Sequence, residues 1–377
     1  MSELRVVLEQ LVAPVPGGIG RYAEELTRQL IATAPEGASV VGFVPSSPPD
    51  RYDDLEARLP GLARLEKSAL DRRMLAEAWR HGVIERGARG IVHTMSLMAP
   101  LAPHDRVHRP ARQTVVTIHD AIPWTHPETL TRRGAAWHRA MGRRAERYAD
   151  AVVVPTHAVA EELLDHLDLG DRIRVIGGAV GSSLRLPGDA ETRADALELP
   201  RRFVLSVGTV EPRKGIPALI TALAELDPDV HLVLVGPAGW GDVQVDDLAA
   251  AAGVTDRVHA VGRLSDSDLA VALAAAEVVA VPSLAEGFGL PVLEAFAFET
   301  PVVHSDAPAL VEVAGGAGLS VPRADADAYP ALLADALGRV LDDPALARRL
   351  GTLGRDRARA YSWRDSAEKV WQLHADL

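Results

Sequence analysis

Hydrophobic runs of four to six residues, many of them β-branched, recur along the chain with polar or glycine-bearing turns between them. Leu4–Leu8, Ser39–Val44, Gly90–His93, Gln113–Ile118, Ala151–Val154 and Ile173–Ile176 read as short buried strands in the first half. The second half repeats the pattern at Phe203–Val207, Val230–Val235, Val258–Val261, Val278–Val281, Pro301–His304 and Gly318–Val321. Between the runs lie stretches with helical spacing: Arg21–Ala34, Leu70–Arg86, Thr131–Tyr148 and Thr156–Leu169, then Pro212–Leu226, Asp246–Ala252, Ser265–Ala275 and Pro291–Phe298, with a further pair from Ala324 to Ala360. Ala13–Gly20 is a glycine turn and Pro45–Asp54 a polar, proline-rich loop. Such alternation predicts parallel sheets covered on both faces by helices, and 377 residues favour two domains over one.

The stretch Pro282-Ser-Leu-Ala-Glu-Gly-Phe-Gly-Leu-Pro-Val-Leu-Glu294 draws the most attention. It follows a strand, turns at Gly287 and Gly289, and enters a helix with Pro291 in its first turn. From Leu290 to Phe298 only Glu294 is polar, and no cation stands three or four residues from it. A helix apolar nearly all round is buried, so a group outside the helix must satisfy this carboxylate. Helix side chains lean toward the N-terminus, which brings Glu294 toward free amides suited to a phosphate. Glu286 on the turn reaches the same space. Two carboxylates beside an anion site suit a ligand with a diphosphate and many hydroxyls.

Glu-Gly-Phe-Gly-Leu-Pro-Val-Leu-Glu, followed by Thr300-Pro-Val-Val303, resembles the E-x7-E signature of retaining glycosyltransferases of family 4. The resemblance spans nearly the whole chain and is strongest from 203 to 321. It implies the GT-B fold, two Rossmann-like α/β domains facing across a cleft, with a C-terminal helix crossing back to the first. Residues 1–180 with 361–377 would form the acceptor-side domain, 181–200 the linker, and 201–360 the nucleotide-sugar domain. The family's usual Asn-Gly-Val-Asp is Gly178-Ala-Val-Gly181 here.

Other motifs fit that frame. Val210-Glu-Pro-Arg-Lys-Gly215 resembles the family's phosphate loop, and a cation at a helix start opposes the dipole unless an anion sits there too. Arg213 and Lys214 are therefore assigned to the departing diphosphate, with Gly208 and the amides of Phe288, Gly289 and Leu290. The resemblance gives ribose hydroxyls to Glu294, sugar hydroxyls to Glu286, and the base to the loop of Arg263. His119, at the end of a strand in Thr-Ile-His-Asp, and the Gly17-Gly18 turn are expected to complete the site from the first domain. The plainer readings are a histidine bonded to its own loop and a merely tight turn. Gly17-Gly-Ile-Gly20 lacks the dinucleotide fingerprint, which argues against a nucleotide-dependent oxidoreductase. Gly-Gly-Ile-Gly-Arg-Tyr with Val-Glu-Pro-Arg-Lys looks most like mannosyl- and rhamnosyltransferases, with GDP-mannose as first donor. A catalytically silent GT-B scaffold is the rival reading.

Composition narrows the partners. The net charge of −12 falls wholly on residues after 180 and argues against nucleic acid. No cysteine is present, and no D-x-D pair stands where a metal-bridged transferase needs one, so neither cofactor nor metal is expected. Met1–Gln10 reads as strand rather than signal peptide, and no apolar run is long enough to span a bilayer. A cytoplasmic protein is expected. The helix expected over 131–148 carries Arg132, Arg133, Arg139, Arg143, Arg144 and Arg147 against one acid, Glu146. Such a helix suits peripheral contact with an anionic membrane, an anionic acceptor, or a plain solvated face.

Overall fold

The computed structural model describes residues 2–14, 16–85, 89–105, 108, 111–239 and 243–377. Met1, Val15 and Arg86, which fall in an expected strand, turn and helix, lie outside the described residues. The chain divides into two compact units, Met1–Gly178 with Ser362–Leu377, and Ala179–Tyr361.

The first unit is a seven-stranded sheet of β1 (Ser2–Val7), β2 (Ala38–Ser46), β3 (Arg64–Asp71), β4 (Ile91–Thr94), β5 (Gln113–Thr117), β6 (Ala151–Val154) and β7 (Ile173–Val175). Its order is β3-β2-β1-β4-β5-β6-β7, and every pairing is parallel. The order reverses beside β1, the place where open α/β sheets bind ligands. All four residues of β6 are buried, as a strand covered on both faces requires. The C-terminal helix Trp363–Asp376 belongs to this unit. Its Trp371 indole donates to Leu30 O at 3.2 Å, and Trp363 meets Tyr22 edge-on with ring centroids 5.5 Å apart.

The second unit is a six-stranded sheet of β8 (Phe203–Val207), β9 (His231–Val235), β10 (Val258–Gly262), β11 (Val278–Val281), β12 (Val302–Ser305) and β13 (Leu319–Val321), in the order β10-β9-β8-β11-β12-β13. These pairings are parallel too, and the reversal falls between β8 and β11. One face packs on Ile216–Leu223 and Tyr329–Asp342, the other on Asp266–Ala275 and Leu290–Ala297.

Several elements differ from the sequence reading. The expected loop Pro45–Asp54 holds the helix Pro49–Arg58, because proline is tolerated in a first helical turn. β3 is an edge strand whose charged side chains hide the alternation, as edge strands often do. Asp71 ends it and caps the helix Arg72–Arg80 by accepting from the Met74 amide at 2.9 Å. The first helix starts at Gly17 rather than Arg21, so Gly17 and Gly18 form its opening turn. Residues 181–200 contain the helix Ala190–Ala196, and Pro308–Ala314 is a helix the pattern did not suggest. The expected helix Pro212–Leu226 is broken by Gly215, at φ +67°, into the single turn Pro212–Lys214 and the helix Ile216–Leu223.

Candidate functional site

The second unit builds its site at the carboxyl ends of β8 and β11, the two strands at the reversal. β11 stops at Val281, and residues 282–289 lead to the helix Leu290–Ala297. Gly289 occupies the cap at φ +88°, and a Cβ there would stand 2.4 Å from Leu310 Cδ2. The positive φ therefore favours glycine at this turn, and a side chain there would also have to displace the Leu310 methyl. The amides of Phe288, Gly289 and Leu290 donate to no group among the described residues. They stand at and just before the start of the helix Leu290–Ala297, where its positive dipole end lies. The Phe288 ring packs edge-on against Tyr361 at 5.8 Å, fixing the turn's outer side.

Across from this turn, the chain leaving β8 passes Gly208 and reaches Pro212–Lys214. A Cβ on Gly208 would stand 3.3 Å from Lys214 Cε, so the glycine leaves room for the lysine stem. Lys214 Nζ donates to Glu286 Oε1 at 2.5 Å, and Ser283 Oγ donates to the same oxygen at 2.8 Å. Arg213 Nη1 donates to Glu286 Oε2 at 3.1 Å and to Ala285 O at 3.0 Å. Arg213 Nη2 donates to Glu211, which is 2% exposed. Two cations thus meet two carboxylates in a neutral, mostly buried array. Burial pushes the Glu286 pKa up, but the charges of Lys214 and Arg213, with hydrogen bonds from Lys214 and Ser283, outweigh it. They hold the carboxyl down to about 2.

This array corrects one step of the sequence argument. Arg213 and Lys214 do not stand uncompensated at a helix start, because Glu286 and Glu211 already answer their charge. Glu211 and Ser283 were not picked out as site residues. The only signal was Glu211's place two residues before Arg213, in the motif itself. Glu294 is buried at 4% exposure on the helix that follows the turn. Arg263 is exposed and follows Gly262, the last residue of β10.

In the first unit, Gly17 and Gly18 begin the helix Gly17–Ala32, whose Pro16 cap makes no side-chain bond. Gly17 sits at φ +59° in open space. Gln10 Nε2 donates to Pro16 O at 2.9 Å and ties this turn to the end of β1. His119 follows β5, and its Nε2 lies 2.7 Å from Met95 O, so that nitrogen is the donor. Burial lowers the His119 pKa, which leaves a neutral ring with Nδ1 as an acceptor. Tyr22 meets the ring edge-on at 4.8 Å and fixes its plane. The bond to Met95 reaches another loop rather than the histidine's own, while Asp120 accepts from the Ile122 amide at 3.1 Å.

The arginine-rich helix is less free than its composition suggests. Arg139 Nε donates to Pro123 O at 2.6 Å, and Arg144 donates to Leu101 O and lies over the Tyr148 ring. Arg132, Arg133, Arg143 and Arg147 are exposed, with Arg133 3.6 Å from Glu77.

Two Rossmann-like α/β units, each with an all-parallel sheet that reverses its strand order once, belong to the GT-B class of fold. Residues 16–182 match the model for Glycosyltransferase Family 4, and residues 189–357 match that for glycosyl transferases group 1. Both matches are to glycosyltransferase models, and between them they cover most of the chain. It is 35% identical over 274 residues to the MMP alpha-(1->4)-mannosyltransferase of Mycolicibacterium hassiacum, covering 70% of this chain and 62% of that protein. It is likewise 35% identical over 244 residues to a D-inositol 3-phosphate glycosyltransferase of Corynebacterium efficiens, covering 60% of this chain and 57% of that one. The O-antigen chain mannosyltransferase B of Escherichia coli is 28% identical over 371 residues, 92% of each chain. The chain thus spans less than two thirds of the length of the first two relatives. Among solved structures, the sucrose-phosphate synthase of Thermosynechococcus elongatus superposes with a TM-score of 0.77 at 24% identity, over 100% of this chain and 99% of that one. Anabaena HepE in complex with UDP and glucose gives 0.76 at 18% identity over the whole of both chains.

Proposed function

We propose that this protein transfers a hexosyl group from a nucleoside-diphosphate sugar, with GDP-mannose the first choice, to a hydroxyl of a glycan, lipid or small-molecule acceptor. Transfer retains the anomeric configuration and uses no metal. Residues 201–360 are taken as the donor domain, 1–180 with 361–377 as the acceptor domain, and 181–200 as their linker. The observation that carries this reading is the Arg213–Glu286–Lys214 array beside the open amides of Phe288, Gly289 and Leu290.

Each group has a task in that reading. Lys214 makes one hydrogen bond to Glu286 and has two further donors for a diphosphate oxygen. Arg213 and the helix amides share the charge that collects on the leaving diphosphate. Glu286, held ionised, accepts from sugar hydroxyls, Glu294 from the ribose, and Arg263 borders the base. His119 offers Nδ1 to a sugar hydroxyl, and Gly17-Gly18 lets the backbone approach the substrate closely. Mannosyltransferases among the relatives favour mannose, while the UDP-bound neighbours make UDP-glucose the competing donor. No helix among the described residues is long and apolar enough to cross a membrane. We place the protein in the cytoplasm, with the exposed arginines of Arg132–Tyr148 facing an anionic membrane or acceptor.

The test is a thermal-shift panel of GDP, GDP-mannose, UDP and UDP-glucose in excess EDTA, followed by transfer assays with each sugar that stabilises the protein. GDP-mannose is expected to give the largest shift. Absence of both a shift and transfer with every nucleotide sugar overturns the reading.

A further inference from the structure

The segment that carries Glu286 has an unusual arrangement of its backbone carbonyls. Four successive ones each accept from a different side chain. Tyr329 Oη donates to Pro282 O at 2.9 Å, Ser305 Oγ to Ser283 O at 2.5 Å, Arg323 Nε to Leu284 O at 2.7 Å, and Arg213 Nη1 to Ala285 O at 3.0 Å. A loop without such clamps samples many backbone states, and fixing each residue costs about 1–2 kcal/mol. Here every carbonyl between the end of β11 and Glu286 is held.

The donors are themselves fixed. Ser305 is fully buried and ends β12, and Tyr329 is 2% exposed and begins the helix Tyr329–Asp342. Burial raises the Tyr329 pKa, so its hydroxyl stays a donor. Arg323 is oriented by Asp306, whose Oδ1 lies 2.5 Å from Nη1 and 3.2 Å from the Arg323 amide. Asp306 in turn donates its amide to Val321 O at 2.9 Å. On the opposite side the Leu284 amide donates to Arg213 O at 2.8 Å, and a Cβ on Gly215 would lie 2.1 Å from Pro282 O. The segment is thus pressed between the Arg213-Lys214 turn and three later elements.

We infer that Tyr329, Ser305 and Arg323 are positioning residues, which hold the 282–285 backbone so that the Glu286 carboxylate faces Arg213 and Lys214 in one geometry. The inference rests on the transferase reading for its kinetic consequence, though not for its structural one. A small displacement of Glu286 would leave the cations paired to a carboxylate in the wrong place for substrate hydroxyls.

The test has two arms. The first is amide hydrogen exchange of the protein without substrate, comparing wild type with Tyr329→Phe, Ser305→Ala and Arg323→Gln. Exchange at the Leu284 amide is expected to quicken about ten-fold, the equivalent of one lost hydrogen bond. The strands of the first unit should be unchanged, and Tyr329→Phe keeps the ring in the core. Unchanged exchange at Leu284 in all three variants overturns the clamp. The second arm is a double-mutant cycle on turnover of GDP-mannose or UDP-glucose, whichever the wild type uses. Arg323→Gln is expected to lower kcat about ten-fold with donor KM little changed, and to have no further effect in a Glu286→Gln background. Independent, multiplicative losses overturn the positioning role. A wild type that turns over neither sugar defeats the transferase reading, and the exchange arm then still judges the clamp by itself.

Discussion

Lys214 and Glu286 stand 72 residues apart in sequence and 2.5 Å apart in the fold. The lysine leaves a one-turn helix after β8, and the glutamate sits on the turn after β11, so only the sheet order brings them together. Because β8 and β11 are neighbours at the reversal, an ion pair at their ends occupies the place where such sheets bind ligands.

Lys214→Ala is expected to damage turnover more than donor affinity. It removes one preorganised charge from a developing anion, which costs about 100-fold in kcat or more. Steady-state kinetics at saturating donor reads this directly. A kcat within a few-fold of wild type would remove Lys214 from the diphosphate.

Glu286→Gln should act in two directions at once. It leaves Arg213 and Lys214 opposed by Glu211 alone, so the site gains positive charge and binds a plain nucleoside diphosphate more tightly. Turnover falls because the sugar loses an ionised acceptor. Calorimetry with GDP and UDP checks the first effect and kinetics the second. The same substitution changes acid stability. Glu286 is ionised in the fold down to about pH 2, below its ordinary 4.5, so its stabilisation is present above 4.5 and lost as pH falls through that window. Tm measured from pH 5 to 2 should therefore fall less steeply in the variant.

Much of the fold was readable because buried parallel strands are short β-branched runs, and β8, β11 and β6 stand at the residues the pattern indicates. β3 was not readable, since Arg64, Glu66 and Lys67 on an edge strand look like a solvated loop. The site was legible in its residue types, through glycines at Gly215 and Gly289 and the cations beside them. Its pairing was not, because hydrogen bonds between Arg213, Glu211, Ser283 and Glu286 depend on which strands are neighbours. The four held carbonyls left no sequence trace, as a carbonyl is the same at every residue.

A buried chain of neutral groups ties the C-terminal helix to the first sheet. Thr117 Oγ1 faces His93 Nε2 at 3.5 Å, His93 Nδ1 faces His374 Nε2 at 3.2 Å, and His374 Nδ1 faces Gln113 Oε1 at 2.9 Å. One proton on each imidazole satisfies the chain, and burial disfavours the charged ring that a second would make. Burial accordingly pushes the His374 pKa from 6.5 to about 4. The folded protein binds fewer protons than the unfolded one between these values, so stability is lost as pH falls from 6.5 toward 4. His374→Gln is expected to flatten the fall of Tm over that range, and an unchanged slope would assign the loss to other groups.

The arginines of Arg132–Tyr148 should separate into two sets. Arg139→Gln and Arg144→Gln each remove a donor from a backbone carbonyl, at Pro123 and Leu101, and should lower stability by about 1–3 kcal/mol. Arg132→Gln with Arg143→Gln should leave Tm unchanged, since both residues are exposed. If this face meets an anionic membrane or acceptor, the exposed pair weakens vesicle flotation or acceptor use and leaves donor affinity as it was. Identical behaviour in all of these assays makes the helix a solvated face.

The last prediction concerns stereochemistry. An inverting transferase needs a base beside the acceptor hydroxyl, on the face opposite the leaving group. The groups gathered at the ends of β8 and β11 are of another kind: Arg213 and Lys214 are cations, and Glu286 is already committed to them in a carboxylate held near pKa 2. A carboxylate so stabilised is a poor base. The acceptor is therefore expected to enter on the face the diphosphate leaves, and a diphosphate oxygen to take its proton while Arg213 and Lys214 stabilise the remaining charge. The C1–O bond to the diphosphate breaks, the acceptor oxygen bonds to C1, and the donor's axial linkage is kept. NMR of the fresh product reads the anomeric configuration from the one-bond C1–H1 coupling, and the same assay in excess EDTA reads metal dependence. An inverted product would overturn this route even with every binding residue correctly placed, because it would require a base that the array does not supply.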